Sequence, residues 1–223
     1  IQPSTPAQQF KPYLLEVCCS ENSKLSDPKF ANNCNTTRVT KQHDLTTKAG
    51  LQFCLDWVAS TPQGQGVIWF SIPCTAGCPW WTRNRHFTRA QELHKQHYQD
   101  FRLIIQNVDT ISLAASLVGH RIAFEWPRSC RLRKDTMVQS FIEDNQLQSV
   151  DFDGCALDLV STTSQPIRKP WTLWTNCFPL WNNFSQHTCK CTKPHAPCAG
   201  RETQSTELYT DKLVNLVHQS LQE

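Results

Sequence analysis

Residues 67–72 are the feature that most constrains the fold of this chain. Their sequence, VIWFSI, contains a single polar side chain, Ser71. Nearly continuous apolar segments of this length are typical of strands that are buried on both faces of a parallel sheet. Pro73 and Cys74 follow directly, and proline ends the strand because it lacks the N–H group that a sheet requires. The sequence therefore predicts a central sheet with other layers packed on both of its faces.

Further strand and helix patterns alternate along the chain, which is typical of an α/β fold. Additional strands are predicted at 13–18, 36–40, 121–126, 149–155 and 171–175. Helices are predicted at 46–60, with Asp44 or Thr46 as the cap, at 90–117, with a break near 107, and at 136–145 and 209–221. The sequence thus predicts an α/β sheet with flanking helices.

The chain length and composition are those of one folded unit. The 223 residues suffice for a single domain with its own core. Residues 1–12 are polar and contain proline, so we expect a flexible lead-in followed by one domain at 13–223. No apolar run approaches the roughly 20 residues of a membrane-spanning helix, so no membrane partner is expected. The net charge of +3 permits a nucleic-acid partner without requiring one.

Reactive side chains follow several of the predicted strands, and α/β sheets bind ligands at the carboxyl ends of their strands. Cys74 comes just after the 67–72 strand, where a thiolate could act as a nucleophile, although a buried structural cysteine is the alternative. Glu125 lies inside an apolar strand. If it is buried, its pKa should rise; if it faces outward on an edge strand, it should not.

Cys74 and Glu125 together resemble the site of C5-type DNA cytosine methyltransferases. The strings SIPCTAGCPW at 71–80, FEWPR at 124–128 and KPW at 169–171 also resemble methyltransferase-like domains of retroelement and viral polyproteins. The resemblance implies a Rossmann-like methyltransferase sheet and S-adenosylmethionine as the cofactor. It further implies that Cys74 attacks cytosine C6 and that Glu125 holds the base.

Two groups of residues are predicted to surround that site. Those expected to line the cofactor are Glu16, Cys18, Ser20, Asp44 and Pro73. Those expected to contact a nucleic-acid substrate are Trp80, Arg83, Arg85, Arg128 and Arg168, because aromatic rings stack on bases and arginines contact phosphates. The alternatives are that Asp44 only caps a helix, that the tryptophans pack on the sheet and that the arginines are solvated.

The turn after the first strand differs from that family. Residues 18–23 contain no glycine, whereas the family uses glycine there so that the backbone approaches the cofactor. A catalytically inactive module that binds nucleic acid and is stabilised by zinc is therefore an alternative prediction.

A cysteine- and histidine-rich segment at 177–204 is predicted to bind zinc. It contains Cys189, Cys191, His195 and Cys198, whose number and type match a tetrahedral structural site. His187 or Cys177 could replace one of them, and disulfides are the alternative interpretation.

The cysteine count bears on the compartment. Several of the twelve cysteines lie in predicted helices or strands, which favours an intracellular reducing compartment, the nucleus included. A secreted, disulfide-rich domain is the alternative, and the glycosylation sequons at Asn35 and Asn183 suit that interpretation.

Overall fold

The computed structural model describes residues 11–31 and 34–223, apart from the side chains of Trp80, Thr82, Arg201 and Gln204. The strands are β1 Tyr13–Val17, β2 Asn35–Val39, β3 Gly66–Phe70, β4 Arg121–Pro127, β5 Gln148–Asp153 and β6 Pro170–Thr175. The described helices are α1 Lys48–Ser60, α2 Trp80–Asn84, α3 Thr88–Leu117, α4 Thr136–Asp144, α5 Phe178–Phe184, α6 Arg201–Ser205 and α7 Asp211–Ser220. All six predicted strands are present, and most of the predicted lead-in, residues 1–12, lies outside the described residues.

The six strands form one mixed sheet in the order β2-β1-β3-β4-β6-β5. Strand β1 lies parallel to β2 and β3, and β3 lies parallel to β4, whereas β6 runs antiparallel to β4 and β5. The chain moves from β1 outward to β2 and then returns to β3 on the other side of β1. At such a reversal, outside the carboxyl ends of β1 and β3, open α/β sheets bind ligands in a crevice.

Helices cover both faces of the sheet, as predicted. On one face, α1, α3 and α4 bury Cys54, Ile105 and Phe141 in a core that includes Leu15 of β1. On the other face, α5 and α7 pack against the neighbouring Leu14. Because successive side chains of a strand point to opposite faces, β3 must be apolar on both, and this explains its continuous apolar sequence.

Three details of the helices differ from the prediction. Helix α1 is capped by Thr47, whose hydroxyl accepts the Gly50 N–H at 3.1 Å, and not by Asp44 or Thr46. Helix α3 continues past residue 107 because Val108 and Ile111 extend the same buried face. The cysteine- and histidine-rich segment 177–204, for which no helix is predicted above, contains α5 and most of α6; α5 forms because it buries two apolar side chains four residues apart.

Across the residues that the structure describes, no helix has both the length and the apolar character that crossing a bilayer demands.

Candidate functional site

The structure brings the segments that carry Cys74 and Glu125 to one edge of the sheet. Phe70 of β3 pairs in register with Phe124 of β4, so Glu125 lies where β3 ends. Cys74 begins the 3₁₀ turn Thr75–Gly77. The thiol of Cys130, in the segment after β4, donates a weak hydrogen bond to the Cys74 carbonyl at 3.9 Å. The two segments therefore pack against each other at the carboxyl edge.

Glu125 is buried, with one carboxyl oxygen bonded and the other without a partner. Its Oε1 accepts the Tyr209 hydroxyl proton at 2.7 Å. Its Oε2 is buried and has no hydrogen-bond partner among the described residues. Burial raises the pKa of this carboxyl, and the nearby charge of Glu16 adds to the effect, whereas Tyr209 and Lys169 oppose it. A buried polar atom without a protein partner is costly, and an ordered water or a ligand that bonds it would remove that cost.

Tyr209 connects Glu125 to β3. Its hydroxyl also contacts the Ser71 hydroxyl at 2.8 Å and accepts the Trp69 indole N–H at 3.1 Å. Burial, followed by the Glu125 charge, raises the pKa of Tyr209 well above its usual value, so this hydroxyl keeps its proton. No local pattern predicts a role for Tyr209, because it lies 84 residues from Glu125, just before the last helix.

Lys169 supplies the positive charge of this edge. Its ammonium group donates to the Thr206 carbonyl at 2.5 Å and lies 4.8 Å from the centre of the Trp171 ring. The backbone of Lys169 has a positive φ of 24°, which is strained for a residue with a side chain. Such strain is retained where the surrounding structure requires it, often at ligand sites.

The thiol of Cys74 is protonated in this environment. Burial, with a contribution from the neighbouring Cys130 and Glu125, raises its pKa to about 12, although the charge of Lys169 acts in the opposite direction. A thiolate is the nucleophilic form of cysteine. Cys74 is therefore placed as predicted, but it is not activated in the resting protein.

Replacing Glu125 with glutamine should stabilise the fold at neutral pH. The pKa of Glu125 is near 4.5 in the unfolded chain and higher in the folded protein. The stability that the protonated carboxyl contributes is therefore complete below about pH 4.5 and is lost as the pH rises through the pKa of the folded protein. Glutamine stays uncharged, so we expect a gain of about 1 kcal/mol, or roughly 2–4 °C, at pH 8 and none near pH 4. Thermal melts across this pH range would measure it. The exposed Glu143→Gln variant is the matched control, and an equal shift in both would contradict the prediction.

Glu16, predicted to line the cofactor, is fully occupied within the protein. Its two carboxyl oxygens accept the hydroxyl protons of Ser23 at 2.6 Å and Ser26 at 2.5 Å. Arg38 donates in turn to the Ser26 hydroxyl at 2.8 Å. Glu16 thus holds the turn after β1 through these bonds, and its predicted contact with a cofactor stays a prediction.

The other predicted cofactor residues surround the crevice at β1 and β3. Cys18 has a positive φ of 63°, the left-handed conformation that glycine usually supplies. Asp44 is exposed, and its Oδ1 accepts both the backbone N–H and the hydroxyl of Thr46, as in a local turn. Ser20 and Pro73 are exposed after β1 and β3. These four residues remain at the edge where the sequence placed them.

Two of the predicted substrate arginines are held in ion pairs. Arg128 contacts Asp151 at 3.2 Å and Asp153 at 3.1 Å, and Arg168 contacts Asp153 at 3.2 Å. Asp153 is buried, with 5% of its side chain exposed. These contacts anchor both arginines beside β5, and their predicted contact with a nucleic-acid substrate stays a prediction.

A cleft of about 590 Å³ lies beside the turn after Cys74, between that turn, α3 and the segment after β4. We call it the α3 cleft; its lining includes Gly77, Trp81, Arg85, Lys95, Arg131 and Lys134. Arg85 is the one predicted substrate arginine in this lining, while Arg83 is exposed on α2. The predicted role of Trp80 concerns a side chain outside the described residues.

A Cys₃His group in the C-terminal part of the chain could hold a metal such as zinc. Its members are Cys155, Cys189, Cys191 and His195, whose ligand atoms all lie within 4.8 Å of one another. The Cys189 sulfur lies 3.3 Å from His195 Nε2. Ligand atoms around a tetrahedral zinc with bonds near 2.3 Å are separated by roughly 3.8 Å, so the group has the required size.

One ligand of this group differs from the prediction. Cys155, expected in a strand, lies in a 3₁₀ turn after β5 and joins the group. Cys198 does not belong to it, because its sulfur lies 3.4 Å from the Thr206 hydroxyl instead. None of the twelve cysteines, all within the described residues, forms a disulfide.

Asp153 anchors the loop that carries the Cys₃His group. Its Oδ2 accepts the Cys189 N–H at 2.9 Å, and its own N–H donates to the His187 carbonyl at 2.9 Å. The Cys191 N–H is the main cause that lowers the pKa of Cys189, and the Arg168 charge contributes. Such outer contacts orient metal ligands and balance the charge of a thiolate-rich site.

Comparison of the chain with protein-family models, curated proteins and solved structures gave no match. Its function therefore has to be argued from the residues of the site.

Proposed function

We propose that this chain is an S-adenosylmethionine-dependent methyltransferase that acts on a nucleobase, with cytosine in DNA as the target that the resemblance implies. The observation that carries the proposal is Glu125, a buried carboxyl whose Oε2 has no partner among the described residues, close to Cys74. Burial favours its protonated form. A protonated carboxyl has both a donor and an acceptor, which suits the edge of a base.

The crevice at β1 and β3 supports the cofactor part of the proposal. Cys18 takes the backbone conformation of the missing glycine, and strained residues of this kind cluster at ligand sites. Asp44 exposes a carboxylate at the same edge, where it can accept hydrogen bonds from ribose hydroxyls. The residues present thus fit the cofactor without Glu16. S-adenosylmethionine supplies the transferable methyl group when it is bound.

Cys74 is the nucleophile in this proposal, and its S–H proton passes to solvent as the sulfur bonds to the ring carbon. Lys169 favours the thiolate, since its charge lowers the pKa of Cys74. Glu125 holds the base edge, and Tyr209 positions it by donating its hydroxyl proton to Glu125 Oε1. Attack breaks the ring double bond and makes the neighbouring carbon nucleophilic. After that carbon has taken the methyl group, its proton leaves to solvent, the bond between Cys74 and the ring breaks and the thiolate is released.

A binding module without catalysis is the second candidate. The Cys74 pKa of about 12 favours it, because it leaves little thiolate at neutral pH. The internal bonds of Glu16 favour it too, because they remove one of the predicted cofactor contacts.

In either case we propose that the Cys₃His group binds structural zinc. Four protein ligands fill a tetrahedral site and leave no position for a catalytic water.

Calorimetric titration with S-adenosylmethionine tests the methyltransferase proposal. We expect saturable binding by the whole chain and roughly tenfold weaker binding by Asp44→Asn, because a hydrogen bond to a charged group contributes about 1.5–3 kcal/mol. Asparagine can keep the turn bond to Thr46, so the fold should be preserved. Asp56→Asn, an exposed position on α1, is the matched control. No heat and no thermal shift at saturating cofactor, with nucleic-acid binding retained, would favour the second candidate.

A further inference from the structure

The α3 cleft has a positively charged rim built from separate segments. Arg85 follows α2, Lys95 lies on α3, and Arg131 and Lys134 come from the 3₁₀ turn after β4; all four are exposed. The lining also contains one acidic residue, Asp135, whose carboxylate accepts bonds from the Tyr98 hydroxyl at 2.7 Å and the Met137 N–H at 3.0 Å. The rim therefore attracts anions, and its single acid is already hydrogen-bonded.

The floor of the cleft is mostly apolar and tightly packed. Ala76, Gly77, Ala90 and Leu132 line it and are buried. A Cβ atom added at Gly77 would lie 2.6 Å from the Cys130 sulfur, so only glycine fits at this point. An apolar floor beneath a cationic rim suits a ligand that has both an apolar part and a negative charge.

Aromatic side chains form part of the cleft wall. The Trp81 indole donates its N–H to the Thr75 carbonyl at 2.5 Å, and its ring centre lies 5.0 Å from that of His94. Tyr98 is held by its bond to Asp135. These contacts fix the rings in place, and fixed aromatic rings are the platforms on which unpaired bases stack.

The cleft adjoins the turn that carries Cys74. Gly77, which lines the cleft, donates its N–H to the Cys74 carbonyl at 3.0 Å. The thiol of Cys130, two residues before the cleft residue Leu132, also contacts the Cys74 carbonyl. A strand lying in the cleft would thus pass beside the turn of Cys74, whereas Glu125 faces Tyr209 on the other side of the sheet.

We propose that the α3 cleft binds single-stranded nucleic acid, with one unpaired base against the apolar floor and the flanking phosphates on the cationic rim. This inference rests on the proposed function, since it brings the strand to the turn that carries Cys74. The cleft volume of about 590 Å³ falls within the range of about 300–1,000 Å³ for small-molecule sites, enough for a nucleotide but not for a duplex. Stacking rings beside cations are the combination that binds single strands.

Fluorescence anisotropy with a labelled strand of about 12 nucleotides tests the inference. The variant Lys95→Ala/Lys134→Ala should bind the strand about 25-fold more weakly near 0.1 M salt, because it loses two phosphate contacts. The affinity that each such contact contributes to single-strand binding varies as about the −0.7 power of the salt concentration. Its log–log salt dependence should be shallower by about 1.4. The control Lys29→Ala/Lys212→Ala removes the same charge from exposed positions on or beside the α7 face, and it should stay within about twofold of the parent chain. Equal loss in both variants, or none in the first, would overturn the proposal.

A strand with abasic sites separates stacking from charge. It keeps the phosphates but lacks the bases, so it should bind the parent chain at least about fivefold more weakly. Equal binding of abasic and normal strands would overturn the placement of a base on the floor. All these titrations omit the cofactor. Binding of the strand without binding of S-adenosylmethionine would therefore contradict the proposed activity and support the proposed role of the cleft. Binding of S-adenosylmethionine without binding of the strand would contradict the role of the cleft and support the activity.

Discussion

Replacing Cys189 with serine should abolish metal binding and lower the melting temperature by roughly 10 °C at saturating zinc. Cys189 lies at the centre of the Cys₃His group, with its sulfur 3.3 Å from His195 Nε2. A ligand that binds only the folded state stabilises it by about 4 kcal/mol when its free concentration is a thousand times Kd. In a domain of this size, 1 kcal/mol corresponds to about 2–4 °C.

The effect should be this large because the metal would hold a segment with little core of its own. The ligands join the 3₁₀ turn after β5 to the loop at 189–195, most of which is exposed. Without metal, Asp153 is left as the main anchor of Cys189. We therefore expect chelation to increase amide exchange in this loop first, before the sheet is affected.

Cys198→Ser is the matched control, since it makes the same substitution at a sulfur outside the group. It should keep one equivalent of zinc per chain, measured by a colorimetric assay on denatured protein, whereas Cys155→Ser and Cys189→Ser should retain little. Retention of zinc by Cys155→Ser together with its loss in Cys198→Ser would support the predicted ligand set over the observed one. A metal-free chain with disulfides among these cysteines would sink the zinc proposal altogether.

The sequence was sufficient to locate the strands but not to orient all of them. Residues 67–72 predict a doubly covered strand because burial on both faces requires apolar side chains at every position. The direction of β6 could not be predicted, since the pattern at 171–175 is the same for a parallel or an antiparallel strand. Edge residues such as Cys74 could be placed because every parallel strand delivers its end to one edge.

Contacts that join distant segments account for most of what the sequence could not reveal. Tyr209 reaches Glu125, and Cys155 reaches Cys189, only through the packing of the sheet and the C-terminal segment. Local spacing suggested Cys198 as a ligand, because it follows His195 closely. The fold instead brings in Cys155, which lies at the end of a strand. Short-range spacing can thus indicate a metal site while misassigning one of its ligands.

Cys74→Ser should lower methyl transfer by at least about a thousandfold and leave strand binding within about twofold. A serine hydroxyl is a far weaker nucleophile than a thiolate, and loss of a covalent nucleophile typically costs several orders of magnitude. The cleft rim and Glu125 are unchanged by the substitution, so binding should persist. Transfer of a labelled methyl group to an oligonucleotide would measure the first effect, and anisotropy the second. Cys198→Ser is the control, since this exposed cysteine lies outside the cleft lining and outside the Cys₃His group.

The pH dependence distinguishes a catalytic thiolate from a structural cysteine. With a Cys74 pKa of about 12, the thiolate fraction rises tenfold for each pH unit across the neutral range. If the free protein reacts through this thiolate, kcat/KM should rise with a slope near one as far as the fold remains stable. Full activity in Cys74→Ser would exclude the mechanism. If activity depends on Cys74 but kcat/KM does not change with pH, the thiol must lose its proton when substrate binds and not in the free protein.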